Sequence, residues 1–278
     1  MYLNFKKKDS VTSILLFIFN VFLVERDTRS IPLKKVFALL EPFQKSETAI
    51  RMGLSRGVQS GLLVNYREGG EVYYRLTDEA VRGFEYWQNT LARYRERIKL
   101  QTSAWDGQWS IVAAAGRDKR LGDDLADRLM PLGYGCLDKD LWVSPYDMNH
   151  QVIECSLANG LAKSLYLFRG RLEGNRSPAD IVSATWPVEE LAQRYDLLAK
   201  NLTGALKVLN AQQTDGSGLP FLHFYGLEVF ELIQADPQLP LELLPGGWPG
   251  LPVTRTFWEA REKIMPAANQ FINRVIAS

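Results

Sequence analysis

The side chains best suited to chemistry lie in one short stretch, SETAIRMGLSRGVQSGLL, residues 46–63. Ser46 is a good helix N-cap, and Glu47 places negative charge in the positive first turn. Ile50, Leu54 and Val58 then recur at i, i+4 and i+8, one buried stripe at about 100° per residue. Thr48, Met52, Ser55, Arg56 and Gln59 fall opposite, with Arg51 on the flank. An arginine on a free helix face can grip the O6 and N7 of guanine together, worth about 1–3 kcal/mol of base discrimination. The chemistry on offer is recognition of a duplex, with no bond made or broken. Gly53 and Gly57 cost about 1 kcal/mol each inside a helix. Both point near the buried stripe, and close helix packing accounts for them.

The flanking sequence builds a frame for that helix. Pro32 sits where a helix can begin, Leu33, Val36, Phe37 and Leu40 follow at helical spacing, and Pro42 stops it. Gly61 closes the second helix as a left-handed cap. Leu62–Leu76 then reads as a hairpin turned at Gly69-Gly70, since both central residues of such a turn need positive φ. Helix, short turn, helix and hairpin is the layout of a winged helix-turn-helix, in which the second helix enters a major groove and the hairpin rests on the backbone. Arg67 and Arg75 are placed to steady the wing on phosphates, while Glu68 and Glu71 put two carboxylates at its tip. The pattern alone equally fits another small α+β domain. Charge leans toward a polyanion at this end. Residues 1–100 hold 17 basic against 11 acidic side chains, and the remainder 16 against 21.

Composition narrows the other classes. The chain has 278 residues, 46% apolar and 23% charged, with two cysteines and two histidines. Cys136 and Cys155 supply neither a disulfide framework nor a zinc cluster, which points to a reducing compartment. Lys6–Lys8 before the apolar run Ile14–Val24 resembles a signal peptide, but Glu25, Arg26 and Asp27 follow in place of a small-residue cleavage site. Eleven residues also fall short of the roughly 20 that span a membrane. The run reads as a buried helix of a cytoplasmic protein with no membrane association. No nucleophile elbow, Walker loop, dinucleotide fingerprint or zinc-protease motif is present, so the chain reads as a non-enzyme without cofactor or metal.

Further along, Thr77-Asp78-Glu79 caps a helix to about Leu100 whose Arg82, Arg93, Arg95 and Arg97 read as a solvated face. Trp105-Asp106-Gly107 marks a boundary. Strand 109–115, helix 121–132, strands 134–136 and 141–144, helix 150–157 and strand 165–171 follow, a ferredoxin-like βαββαβ order. Asp118, Asp123, Asp124, Asp127, Asp138 and Asp140 leave a metal-dependent nuclease open as an alternative, and a protein-interaction module without DNA binding is another. Residues 175–183 read as a linker, 188–212 as a helix, Pro220 as the start of another, 236–252 as an extended surface segment with five prolines, and 258–276 as a final helix.

Four stretches together resemble the PaaX-type transcriptional repressors of phenylacetic acid catabolism in bacteria. They are the helix over 46–63, with Glu47, Ile50, Arg51, Arg56, Gly61 and Leu63 in the family's pattern; the wing end YYRLTDEA; AWDGQWSIV at 104–112; and DPQLPLELLPGGWPG, Asp236–Gly250, with His223 shortly before it. The resemblance covers roughly residues 10–275. It implies an α+β protein with a winged helix-turn-helix over 10–77, a connecting helix over 78–104, a ferredoxin-like domain over 105–174 and a helical C-terminal domain over 175–278. It also implies a homodimer that represses a catabolic operon by binding double-stranded operator DNA, released by phenylacetyl-CoA or another acyl-CoA. The DNA-binding candidates are Thr48, Arg51, Arg56, Gln59, Arg67 and Arg75. For the effector, Lys163, Arg169 and Arg171 would meet phosphates, and Trp186, Tyr195 and His223 would line an aromatic pocket between the middle and C-terminal domains.

Overall fold

The computed structural model describes residues 8–24, 28–114, 125–158, 165–174, 176–209 and 213–278. Lys163, Asp118, Asp123 and Asp124 lie outside the described residues. The first elements are α1 (Val11–Ile18), β1 (Ser30–Pro32), α2 (Leu33–Leu40), α3 (Glu47–Gln59), β2 (Leu63–Glu68), β3 (Glu71–Leu76) and α4 (Asp78–Gln101). Next come β4 (Trp109–Ala114), α5 (described over 125–129), β5 (Gly135–Asp138), β6 (Leu141–Ser144), α6 (Asn149–Ala158) and β7 (Leu165–Gly170). Four helices end the chain: α7 (Pro178–Thr185), α8 (Val188–Val208), α9 (Gly218–Ala235) and α10 (Gly250–Ala277). Helices with two antiparallel sheets make it an α+β protein. It divides into two compact units, Met1–Leu91 with Asp196–Leu232 and Gly250–Ser278, and Ala92–Tyr195 with Ile233–Pro249.

The first unit carries α1, α2 and α3 beside a three-stranded sheet of order β1-β3-β2. Ser10 caps α1 by accepting the Ser13 N–H at 3.1 Å. Ile14, Leu15, Leu16 and Ile18 of α1 are at most 2% exposed, so the apolar run is core. Pro42 ends up in a 3-10 turn, Glu41–Phe43, and Gln44 at φ 53° swings the chain into α3. Gly69 and Gly70 have φ of 57° and 82°, as the two-residue turn between β2 and β3 requires. β1 pairs with β3, Ser30 opposite Arg75 and Pro32 opposite Tyr73. At three residues it is too short to announce itself by alternation.

The C-terminal helices of this unit hold the α2–α3 turn in place. Lys35 donates its Nζ proton to the Ile276 carbonyl on α10. Gly216, at φ 88°, lies so close to Pro42 and Phe271 that a Cβ there would stand 2.6 Å from Pro42 Cγ. Trp87 of α4 stacks on Phe230 of α9 at 4.0 Å between centroids.

In the second unit, β5-β6-β4-β7 form an antiparallel sheet. One face packs Val112, Trp142 and Leu165 against Leu125 and Leu129 of α5 and Val152 of α6. Gly135 meets α7 closely, since a Cβ there would stand 2.2 Å from Thr185 Cγ2 and 2.6 Å from the Trp186 ring. Helix α7, with Ile181 and Val182 buried, overturns the reading of 175–183 as a linker. Ser177 caps α7, its Oγ accepting the Asp180 N–H while the Asp180 carboxylate accepts the Ser177 N–H, a capping box with proline at the first helical position. Residues 236–240 are likewise buried and not surface. The Asp236 carboxylate accepts from the Tyr195 hydroxyl at 2.9 Å and the Gln238 N–H at 2.7 Å. Gln238 Nε2 donates to the Ile233 carbonyl at 3.0 Å, and the Gln238 carbonyl accepts the Tyr146 hydroxyl. The prolines fix the path while the polar atoms find partners inside, which makes burial affordable.

Candidate nucleic-acid interface

Helix α3 is held by one side only. Ile50 and Leu54 are 2% and 0% exposed, Gly53 and Gly57 are buried beside them, and Val58, expected in the buried stripe, is only half-buried. A Cβ on Gly53 would stand 2.4 Å from Val11 Cβ, and one on Gly57 would stand 2.7 Å from Leu63 Cδ1. The two glycines therefore let α1 and β2 lie directly against the α3 backbone. Thr12 Oγ1 donates to the Gly53 carbonyl at 3.0 Å, fixing α1 at that crossing.

The opposite side is open. Thr48, Arg51, Met52, Ser55, Arg56 and Gln59 are all exposed. Arg51 reaches back toward Glu47, 3.9 Å away on the same helix, and its guanidinium lies 5.1 Å from the Phe37 ring centroid. With both partners of that pair more than half exposed, the contact is worth about 0–1 kcal/mol and leaves Arg51 available. Among the described residues no carboxylate pairs with Arg56, Arg67 or Arg75. A groove of about 620 Å³ lies where α3 meets the start of α1, with Ala49, Met52, Gly53 and Arg56 on one wall and Lys8, Ser10, Val11 and Lys45 among the residues of the other.

The β2–β3 hairpin is stiffer than its sequence suggests. Tyr66 and Tyr73, paired across β2 and β3, stack at 5.4 Å, and the Tyr66 hydroxyl hydrogen-bonds Ser30 Oγ at 2.9 Å. Arg67 and Arg75 are exposed. Lys34 Nζ stands 3.3 Å from Glu71, so one of the two tip carboxylates already has a cation. Sequence reasoning missed Lys34, because the pairing crosses from α2 to the hairpin, and it missed the Ser30 contact because β1 was not anticipated.

A second set of contacts ties α3 to α9. The imidazole of His223, 1% exposed, donates Nε2–H to the Lys8 carbonyl at 2.8 Å, since a carbonyl can only accept. Phe17 and Phe224 lie 5.0 Å from it and Phe43 5.9 Å, and burial pushes its pKa down to about 4. Lys8 Nζ meets Glu231 at 2.8 Å, and Asp9 pairs with Lys45, the residue before the α3 N-cap.

The other effector candidates each have their own surroundings. Arg169 is held by Asp106 at 2.6 Å and Ser110 at 3.0 Å, with Asp147 at 3.8 Å. Arg171 is exposed. Trp186 is 8% exposed and stacks on Trp109 at 6.4 Å. Tyr195 is engaged by Asp236, and Trp248 packs edge-on against it at 5.9 Å. His223 belongs to the first unit, the others to the second. Among the described residues no group of three or more His, Cys, Asp or Glu is arranged to hold a metal ion, Asp127, Asp138 and Asp140 included, and no helix is long and apolar enough to cross a membrane.

Comparison with known proteins covers most of the chain. Three family models match in order: a PaaX-like protein model over residues 12–80, the PaaX protein central Cas2-like domain over 102–182, and the PaaX-like protein C-terminal domain over 186–274. Transcriptional repressor PaaX of Escherichia coli (strain K12) is 27% identical over 248 residues, 85% of this chain and 75% of that protein. Among solved structures, uncharacterized protein Rv0674 from Mycobacterium tuberculosis has a similar fold, with a TM-score of 0.56 at 22% identity, covering 94% of this chain and 96% of that one.

Proposed function

Because the chain belongs to the PaaX family, we propose that it is a DNA-binding transcriptional repressor rather than an enzyme, acting in the cytoplasm on a catabolic operon. In this reading residues 10–77 are a winged helix-turn-helix, 78–104 a connecting helix, 105–174 a ferredoxin-like domain and 175–278 a helical domain. Helix α3 enters the major groove of an operator, with Thr48, Arg51, Arg56 and Gln59 toward the bases, and the β2–β3 wing rests Arg67 and Arg75 on phosphates. A homodimer reads two half-sites.

The observation that carries this reading is the one-sided seating of α3. Its apolar and glycine side is sealed against α1, while Arg56, Arg67 and Arg75 are exposed and meet no carboxylate among the described residues. Exposed cations left uncompensated favour a polyanion, whose condensed counterions are released on binding. The test is the affinity of wild type and Arg56→Ala for DNA upstream of the chain's own gene, across a salt series. Wild type binds with a steep loss of affinity as salt rises. Arg56→Ala loses about 1–3 kcal/mol of binding and relaxes base preference at one position. Unchanged affinity and preference would remove Arg56 from the reading face.

Release by an acyl-CoA thioester, phenylacetyl-CoA before others, belongs to the same proposal. Such a ligand must bind the non-binding arrangement of the protein more tightly than the DNA-bound one, since tight binding alone shifts nothing. Arg171, exposed, is the freer cation for its phosphates, because Arg169 is already compensated by Asp106. A protein–operator complex that survives saturating phenylacetyl-CoA discards that effector and leaves the repressor standing.

A further inference from the structure

The open face of α3 is not uniformly polar. Around a helix of about 3.6 residues per turn, Thr48, Met52, Ser55 and Gln59 project within about 40° of the line opposite the Ile50, Gly53, Leu54 and Gly57 seam, while Arg51 and Arg56 stand about 70° to either side. The arginines are therefore shoulders, and the centre of the face belongs to three short or neutral polar side chains and one thioether. Met52 is 50% exposed, the one large apolar side chain on that open face. It also forms a wall of the 620 Å³ groove, together with Ala49 and Arg56.

We propose that Met52 reads the 5-methyl group of a thymine in the major groove, making it a specificity-determining residue. This rests on the repressor reading above. The major groove presents donors, acceptors and a single kind of apolar feature, the thymine methyl. A flexible, polarizable side chain at the centre of a reading face has that methyl as its matching target, and the flanking arginines, one on each side, bring the polyanion against it. Thr48, one turn before Met52, and Gln59, two turns after it, lie on the same line and supply hydrogen-bonding groups for nearby base pairs.

The experiment substitutes deoxyuridine for each thymine of a bound operator in turn, which deletes the methyl and nothing else, and measures affinity for wild type, Met52→Ala and Met52→Leu. One methyl removed from an apolar contact changes affinity by about fourfold. Wild type loses about fourfold at one thymine per half-site, Met52→Ala binds thymine and uracil there equally, and Met52→Leu keeps the discrimination. Met52 is half exposed, and equal thermal midpoints of the three proteins verify that only recognition has changed. Wild type indifferent to every substitution, or Met52→Ala showing the wild-type thymine preference, overturns the assignment while DNA binding itself remains. Wild type that binds no DNA overturns the repressor reading and this assignment together.

Discussion

Substituting Gly53 by alanine pits helix propensity against packing, and the structure decides the sign. In an isolated helix the change stabilises by about 1 kcal/mol. Here the new Cβ would stand 2.4 Å from Val11 Cβ and 2.7 Å from its Cγ1, whereas ordinary contact starts at 3.4 Å. Helices α1 and α3 must part by about 1 Å, an overpacking strain of about 1–3 kcal/mol, and the parting also stretches the 3.0 Å bond from Thr12 to the Gly53 carbonyl. The net expectation is a loss of up to about 2 kcal/mol in urea unfolding, with weaker DNA binding because α3 shifts on its seat. The partner residue sharpens the test. Val11→Ala removes Cγ1 but leaves Cβ at 2.4 Å, so Gly53→Ala still destabilises in that background. Val11→Gly removes both atoms, and there Gly53→Ala recovers its propensity gain. A double-mutant cycle therefore shows weak coupling with Val11→Ala and strong coupling with Val11→Gly. A Gly53→Ala single variant more stable than wild type would refute the close crossing of α1 and α3.

Two buried titratable groups give opposite pH signatures. The pKa of Asp236 is raised by burial from 3.8 to about 6, so the folded chain holds this proton where the unfolded chain has lost it, and its contribution to stability falls as pH rises from about 4 to 6. Asp236→Asn removes that fall, seen as the difference between the two unfolding profiles; parallel profiles would contradict the burial of this carboxyl. His223 behaves the other way, its pKa lowered by burial from 6.5 to about 4, so stability is present above 6.5 and is lost as pH falls toward 4. In His223→Gln, whose side-chain amide can still donate to the Lys8 carbonyl, that acid loss disappears, and a variant as acid-sensitive as wild type would rule out the buried neutral imidazole.

Helix α3 was legible because several local signals agree: the Ser46 cap, the i, i+4, i+8 apolar spacing, and glycines whose cost needs a packing reason. The structure supplies that reason in Val11 and Leu63. The hairpin turn was legible because Gly69-Gly70 admits few alternatives. β1 was hidden by its length. α7 was misread because Asn-Arg-Ser-Pro looks like loop chemistry, yet Ser177 with Asp180 three residues on and Pro178 at the first helical position is also a helix start, a signal that could have found it. The run at 236–240 misled for a different reason. Its prolines and acid suggest solvent, and only the tertiary partners Tyr195 and Tyr146, with the Gln238 N–H inside the run, make its burial possible. Lys34 against Glu71 was beyond reach, because no local spacing links α2 to a hairpin tip.

The account rests on the exposed side of α3 lying in a duplex groove, and a photoreactive side chain at Ser55, between the two arginines, tests this most directly. On irradiation of the full chain with DNA from upstream of its own gene, the account predicts cross-links to major-groove base positions at a fixed place in each half-site, absent when the group is placed instead at exposed Glu189 of α8. Cross-linking from Glu189 equal to that from Ser55, or none from Ser55 on DNA that the chain demonstrably binds, would contradict it.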